Sequence, residues 1–370
     1  MRKRVAAWLL IAAGFTTGCA STSESALAVS PLSSIESQPA DPASDLTAAE
    51  AAVALLKARD ARHTKEPDEA ILGASAALYL ISAGYDTEGH ARELLRRLEE
   101  LATPVGTGVG WGLSEPWDAF NDGSENPRET VYSYTTARAS WLFVEASQTL
   151  GEDRYLDVAE SGVTSLKEKM CCWSDGASSA LWYSDQVADQ GDDRITPNVS
   201  ALGIYVLKAT GDEALSNSLL EFILDSKGQG YSRELKQGIS VGDHNWVYSS
   251  GDSTPNDLVH LPLIAEGLLA SGDPEAREVS LAAIDEAWAA HFSAGGVPRD
   301  TLFTRGSHGW GPPAMLWVLS GIPERRSQAV LLAQALLIEY SLSDGSPTGT
   351  ARGDLWWALA FARAADAGVA

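Results

Sequence analysis

Cysteine is scarce: three in 370 residues, two of them the neighbours Cys171 and Cys172. A disulfide-stapled scaffold is thereby excluded, and the fold must rest on an apolar core. Adjacent Cα atoms lie about 3.8 Å apart, closer than an ordinary disulfide prefers. The pair therefore reads either as two partly buried thiols or as a strained vicinal bridge. The six histidines place none at ligand spacing from it, and no metal or cofactor is expected. Basic residues are also few, 27 Lys and Arg against 50 Asp and Glu, for a net charge of −23. That balance excludes nucleic acid and an anionic membrane surface as partners, and a polyanionic substrate would need a local basic patch. The apolar run Val5 to Phe15 is too short to span a membrane. Sustained strand alternation is missing as well.

The N-terminus has the layout of an export signal. Arg2, Lys3 and Arg4 precede the apolar run, and Thr16-Thr17-Gly18-Cys19 resembles a bacterial lipobox. Residues 1–18 are read as a signal peptide, with Cys19 as the lipidation site; an ordinary cleaved signal with an incidental Cys is the alternative. Residues 19–45, rich in Ser, Ala and Pro, read as a lipidated, disordered tether. The expectation is an exported protein, lipid-anchored at the cell envelope, on the outer membrane or the outer face of the cytoplasmic membrane. Contact with membrane would be through the anchor alone. Ala20 after the cysteine favours the outer membrane by analogy with Gram-negative sorting.

From residue 46 to 370 a small turn recurs. Gly84, Gly151, Gly211, Gly272 and Gly321 each sit between two Ala/Leu-rich stretches, at steps of 67, 60, 61 and 49 residues by subtraction. Each Gly suits the left-handed residue that ends a helix. The acidic residues that follow, with Pro274 and Pro323, suit the first turn of the next. About twelve helices are expected, near 47–62, 67–83, 87–102, 128–149, 152–169, 197–210, 212–227, 255–271, 274–291, 311–320, 324–341 and 353–367. Short corner turns alternate with long links. Six hairpins close into a ring when the last inner helix pairs with the first helix, which gives an all-α fold, an (α/α)6 toroid, with the long links on one rim. An open solenoid is the alternative. Thr196-Pro197-Asn198 and Thr254-Pro255-Asn256 repeat one helix start, Thr capping and Pro at the first position. Asn126 to Glu129 has the form of a capping box.

Of the eleven tryptophans after Trp8, most fall in or beside the links: Trp111, Trp117, Trp173, Trp182, Trp246 and Trp310, with Trp356 and Trp357 just inside the last helix. Aromatic faces beside carboxylates and amides suit a sugar, so Trp111, Trp117, Trp182, Trp246, Trp310 and Trp356, with Asn198 and Asn256, are candidate carbohydrate contacts. The alternative is that these rings plug the rim. The helix start Tyr132-Ser133-Tyr134-Thr135-Thr136 is too polar for a dry core and suits a wet cavity. Candidate acids and bases are Asp118, Asp122, Asp257, His260 and Tyr134. Asp118 and Asp122 could equally serve a turn, Asp257 a helix N-terminus. Arg138, Arg299, Arg305 and Arg352 could together hold a uronate or another anion, or pair with the many carboxylates. Asp189, Asp192 and Asp193 read as solvated charge rather than a calcium site.

The segments Trp117-Asp118-Ala119-Phe120-Asn121-Asp122-Gly123, Asn126-Pro127 and Tyr132-Ser133-Tyr134-Thr135-Thr136-Ala137 resemble the opening rim motif of α/α-toroid proteins associated with bacterial polysaccharide metabolism. Tyr183-Ser184-Asp185 and Asn256-Asp257-Leu258-Val259-His260 resemble that group's later rim segments. The chain departs from the pattern in having no His between Ile195 and Val199 and no Thr-Gly after His260. The wider likeness is to six-hairpin glycosidases, toroidal lyases and epimerases. It implies a carbohydrate substrate or ligand and a hydrolase, lyase or epimerase. A non-catalytic glycan-binding or envelope scaffold lipoprotein is the alternative.

The lipobox reading has a direct test. Cys19→Ala should move the expressed protein from the detergent phase to the aqueous phase on Triton X-114 partitioning, and mass spectrometry should find no acylated N-terminus. An unchanged partition would show that Cys19 is incidental.

Overall fold

The computed structural model describes residues 46–59, 61–120, 122–227, 243–250, 256–299 and 309–369. Among them are twelve α-helices: α1 (Ala48–Lys57), α2 (Pro67–Ser82), α3 (Glu88–Glu100), α4 (Ser133–Leu150), α5 (Arg154–Lys169), α6 (Pro197–Ala209), α7 (Glu213–Ser226), α8 (His260–Ser271), α9 (Pro274–His291), α10 (Gly311–Ser320), α11 (Arg326–Ser341) and α12 (Ala351–Asp366). Two short hairpins, β1 (Thr103–Val105) with β2 (Gly108–Gly110) and β3 (Trp173–Ser174) with β4 (Ser179–Ala180), are antiparallel.

Helices α2, α4, α6, α8, α10 and α12 pack each against the next, and α12 returns to α2. They form the inner ring. Their composition requires it: every residue of α10 is buried, as is nearly every residue of α12 from Gly353 to Ala364. A helix apolar on all sides needs neighbours on all sides. The outer helices have one apolar face; α3 buries Ala91, Leu94, Leu95 and Leu98 and exposes its Arg and Glu residues. Helix α1 packs on α12 and completes the sixth hairpin. Every inner helix is entered through a link and left through a corner turn, so the links share one end of the ring.

The corner glycines are left-handed at Gly84, Gly151, Gly211 and Gly272, with φ between 69° and 90°. Gly321 corrects the expectation, with φ at −81°. Its requirement is space, since a Cβ there would lie 2.3 Å from the Arg363 guanidinium. Asp212 and Asp273 cap α7 and α9 by accepting from Leu215 N and Ala276 N.

Three helix boundaries differ from expectation. Helix α1 ends at Lys57, short of residue 62. Helix α4 begins at Ser133, because the described residues before it, 112–120 and 122–132, form a strap bridged Gly112 to Val131, Trp117 to Asn126 and Tyr132 to Ser184. The Asn126–Glu129 capping box is not formed; Asn126 is buried and donates to Asp189, and Glu129 has φ of 64°. Helix α8 begins at His260, while Thr254 and Pro255 lie outside the described residues. Pro197 does open α6, but Thr196 makes no capping bond. Cys171 and Cys172 are joined as a vicinal disulfide.

Link tryptophans fasten the links to the outer helices. Trp111 Nε1 donates to Leu98 O at 2.8 Å and Trp246 Nε1 to Ile223 O at 2.9 Å. Both carbonyls lie in the last turn of the preceding outer helix, where acceptors lack a full set of partners. Trp357 Nε1 likewise reaches Gly309 O at 2.9 Å.

Inner-ring spacing depends on small residues. A Cβ at Gly267 in α8 would lie 2.2 Å from the Ala201 carbonyl of α6, a backbone atom that cannot turn aside. Gly267→Ala should cost on the order of 1–3 kcal/mol of stability. Gly89→Ala, on exposed α3 with nothing within 4 Å, should gain about 0.4–1 kcal/mol. Urea unfolding of the two variants measures both, and equal stabilities would contradict this account of ring packing.

Candidate functional site

Three of the six candidate sugar-stacking tryptophans are core residues: Trp111, Trp246 and Trp356 are 0 % exposed. Burying a whole indole outweighs presenting it to solvent, and Trp111 and Trp246 also donate their N–H to a carbonyl, so these rings have no face for a sugar. Trp117 is half-buried in an aromatic cluster, 5.4 Å from Tyr132 and 5.9 Å from Tyr183, with Phe120 5.0 Å from Tyr183. Trp182 is half-buried, its backbone N–H donating to Met170 O. Trp310 lies under the Arg352 guanidinium at 4.5 Å.

Asp118 and Asp122 are committed to their own loop. Asp118 accepts from the backbone N–H groups of Asp122 and Gly123 at 3.2 and 2.8 Å. Asp122 accepts from Ser124 and pairs with Arg194. The Ser124 hydrogen bonds, with Arg194 behind them, hold its carboxyl below the usual range. The turn-holding alternative therefore describes both. Asp189 is 1 % exposed and accepts from Asn126 Nδ2 at 2.7 Å and Ser184 Oγ at 2.6 Å, which pins the strap before α4 to the link before α6. Among the described residues no three His, Cys, Asp or Glu side chains gather as metal ligands.

Asp257, His260 and Tyr134 belong to a different assembly. Asp257 Oδ1 accepts from the backbone N–H groups of Val259 and His260, at 2.9 and 3.0 Å, and meets His260 Nδ1 at 2.8 Å. Burial opposes the Asp257 charge, but His260 and the two N–H groups outweigh it and hold the carboxyl far below the ordinary range. The Asp257 side chain is nevertheless 42 % exposed. With Nδ1 engaged, His260 keeps Nε2 for other work. The Tyr248 ring stands edge-on to it at 4.9 Å.

On α4, Tyr134 OH accepts from Arg138 Nη1 at 3.0 Å. Arg352, at the second position of α12, pairs with Asp68, at the second position of α2. Burial works against the Arg352 charge, and Asp68 and the neighbouring Tyr134 hydroxyl restore it. The Tyr183 hydroxyl, pushed well up by burial, neighbours both Tyr248 and Arg352. Side chains from α2, α4, α8, α12 and two links thus form one connected polar array at the link-bearing end.

Several polar atoms of this end are buried with no hydrogen-bond partner among the described residues: Asp68 Oδ1, Asn198 Oδ1, Asn256 Oδ1, Arg352 Nε and Trp356 Nε1. Asn198 is the second residue of α6, as Asp68 is of α2. Asn256 spends its amide N–H on Val247 O at 3.1 Å. Asp68 escaped the sequence reading, although Pro67-Asp68 repeats the pattern of Pro197-Asn198 and Pro255-Asn256. Arg299 is described and outside this array; Arg305 and Cys19 lie outside the described residues.

No protein-family model matches the chain, and no curated protein matches it in sequence. Solved structures share its fold. A glycoside hydrolase family 76 mannosidase, Bt3792 of Bacteroides thetaiotaomicron VPI-5482, superposes with a TM-score of 0.61 at 11 % identity, over 86 % of this chain and 98 % of that one. The GH76 alpha-mannanase BT2949 of Bacteroides thetaiotaomicron gives 0.56 at 12 %, over 81 % and 85 %. An inactive variant of the alpha-1,6-mannanase GH76A of Salegentibacter sp. HEL1_6, with two adjacent aspartates changed to asparagine and alpha-1,6-mannotriose bound, gives 0.57 at 10 %, over 87 % and 100 %. The fold is that of the six-hairpin (α/α)6 toroids.

The Asp257 carboxyl predicts an acid limb. Its folded-state pKa is depressed, so its stabilising contribution is present above the unfolded carboxylate range, near pH 4, and is lost as pH falls below it. Asp257→Asn should therefore be less stable than wild type at pH 7, with the gap narrowing at pH 3. Denaturant midpoints at the two pH values measure this; a gap that does not shrink would mean that the carboxylate charge is not what stabilises the fold there.

Proposed function

We propose that this chain is a carbohydrate-active protein whose site is the link-bearing end of the toroid, with Asp257, His260 and Tyr134 as its reacting groups. The observation that carries this reading is the set of orphaned polar atoms on the inner-helix starts and, at Asn256, just before one. A buried acceptor left unpaired costs stability, and a ring of hydroxyl donors is what Asp68, Asn198 and Asn256 would accept from. The likeness of fold to mannan-degrading enzymes supports the same class of ligand, at the level of fold.

Proton transfer at carbon suits the array better than two-carboxylate hydrolysis. Asp257 fixes the His260 ring through Nδ1, as an orienting group does for a general base. Nε2 would then take a proton from a carbon made acidic by an adjacent carboxylate or carbonyl. The Tyr134 hydroxyl, flanked by Arg138 and Arg352, is placed to return one, to the other face of that carbon in an epimerase or to the departing oxygen in a lyase. Hydrolysis would need a second carboxylate opposite Asp257, and Asp118 and Asp122 are tied to their loop. The chain has one Asp-Asp pair, Asp192-Asp193, and it is exposed on the link before α6. A glycan-binding protein without turnover is the second reading, since the orphaned acceptors serve binding alone equally well. In either case the toroid would be carried by residues 1–45 to the envelope.

Incubation with neutral and acidic glycans, followed by mass spectrometry in D2O, separates these readings. Deuterium gained at carbon marks an epimerase and an unsaturated end marks a lyase. His260→Asn should lower either by about 100-fold or more while leaving glycan affinity within a few-fold. Products enlarged by water would overturn the proton-transfer reading, and binding with no product would favour the second.

A further inference from the structure

Arg138 is 7 % exposed and sits one turn below Tyr134 on the inner face of α4. Its guanidinium carbon lies 5.0 Å from the centre of the Trp356 ring and 5.8 Å from that of Tyr134. Among the described residues its hydrogen-bonding partner is the Tyr134 hydroxyl, and no carboxylate comes within ion-pair distance. The other buried arginines of the ring are paired, Arg352 with Asp68 and Arg363 with Glu266. An unpaired buried cation is costly. Trp356 adds a second unmet donor in the same stack, its buried indole N–H.

The space beside Arg138 is walled by Ser75, Tyr79, Trp141, Glu145 and Trp317 and amounts to about 30 Å³, room for a small polar group rather than a sugar ring. Glu145 does not supply the missing counter-ion. Its carboxylate accepts from Trp141 Nε1 at 3.0 Å, and burial pushes its carboxyl up to about 7. Helices α4 and α12 flank α2 in the ring, and each contributes a pair one turn apart: Tyr134 with Arg138, Arg352 with Trp356. Together they make a basic, donor-rich spot in a chain of net charge −23.

We propose that the sugar recognised here bears a carboxylate, and that Arg138, aided by the Trp356 N–H, receives it. A planar guanidinium with free N–H groups matches a carboxylate in geometry and charge. This rests on the carbohydrate reading above and names its substrate class. It also supplies what that reading lacks, since a carboxylate acidifies the neighbouring C–H that His260 would deprotonate.

The test uses the full chain in detergent at pH 6 and titrates three sets of oligosaccharides by calorimetry: hexuronates of gluco, galacto and manno configuration, their carboxyl-reduced counterparts, and sulfate esters of the latter. At least one hexuronate should bind about tenfold or more tighter than its reduced counterpart. Arg138→Gln should abolish that preference, and Arg138→Lys should restore part of it. Because no carboxylate among the described residues pairs with this cation, Arg138→Gln should melt no lower than wild type without ligand. Trp356→Phe, which removes the N–H and keeps an aromatic ring, should weaken the hexuronate selectively. Equal binding of hexuronates and reduced sugars would overturn the proposal and leave the carbohydrate reading standing. A preference for the sulfate esters would overturn the carboxylate in favour of another anion. Binding of none of the three sets would sink both readings, and a melting temperature well below wild type for Arg138→Gln would assign Arg138 to structure.

Discussion

The structure depends on one constraint: six helices that bury most of their surface, α10 and α12 nearly all of it, must each be covered on most sides. A layer cannot do this, because its end helices would stay exposed. Closing the layer on itself can, and the packing of α12 against α2 is that closure. Outer helices then need one apolar face, as α3 shows. Chain direction follows, since hairpins placed side by side in a ring send every inner helix the same way. All inner N-termini, and all long links, therefore gather at one end, where the charge-bearing and amide side chains have somewhere to converge.

Those links are not loose covers. Trp111 and Trp246 bury themselves completely and donate to last-turn carbonyls of α3 and α7, and Asp189 ties the strap before α4 to the link before α6. The end of the ring is thus a second, polar layer fastened to the first. Tyr183 and Tyr248 thereby stand beside Arg352 and His260, groups that arise from different hairpins.

Much of the ring was legible in the chain. Gly84, Gly151, Gly211 and Gly272 marked the corners because a left-handed residue is nearly a glycine's alone, and apolar periodicity supplied the helices between. Asp257 and His260 could be paired from spacing, since three residues apart places both on one face at a helix start. Exposure was not legible. A tryptophan in a link can stack on a sugar or cap a helix, and only the fold decides; for Trp111, Trp246 and Trp356 it chose burial. The start of α4 was missed because strand-like bridges between distant segments outbid a local capping pattern at Asn126. Asp118 and Asp122 read as a candidate acid and base, and nearby backbone N–H groups, with Arg194 for Asp122, claimed them. The array of Asp68, Arg352, Tyr134 and Arg138 required ring closure, which brings the two ends of the chain together.

The central claim is that the link-bearing end of the toroid is where a sugar binds. The most direct measurement is a crystal structure of the protein soaked with an oligosaccharide selected by binding. The account predicts density for the sugar at this end, its hydroxyls on Asp68, Asn198 and Asn256 and its reacting carbon within reach of His260 Nε2. Density confined to the corner-turn end or to the outer helices, with Asp68 and Asn198 left as they are, would contradict it.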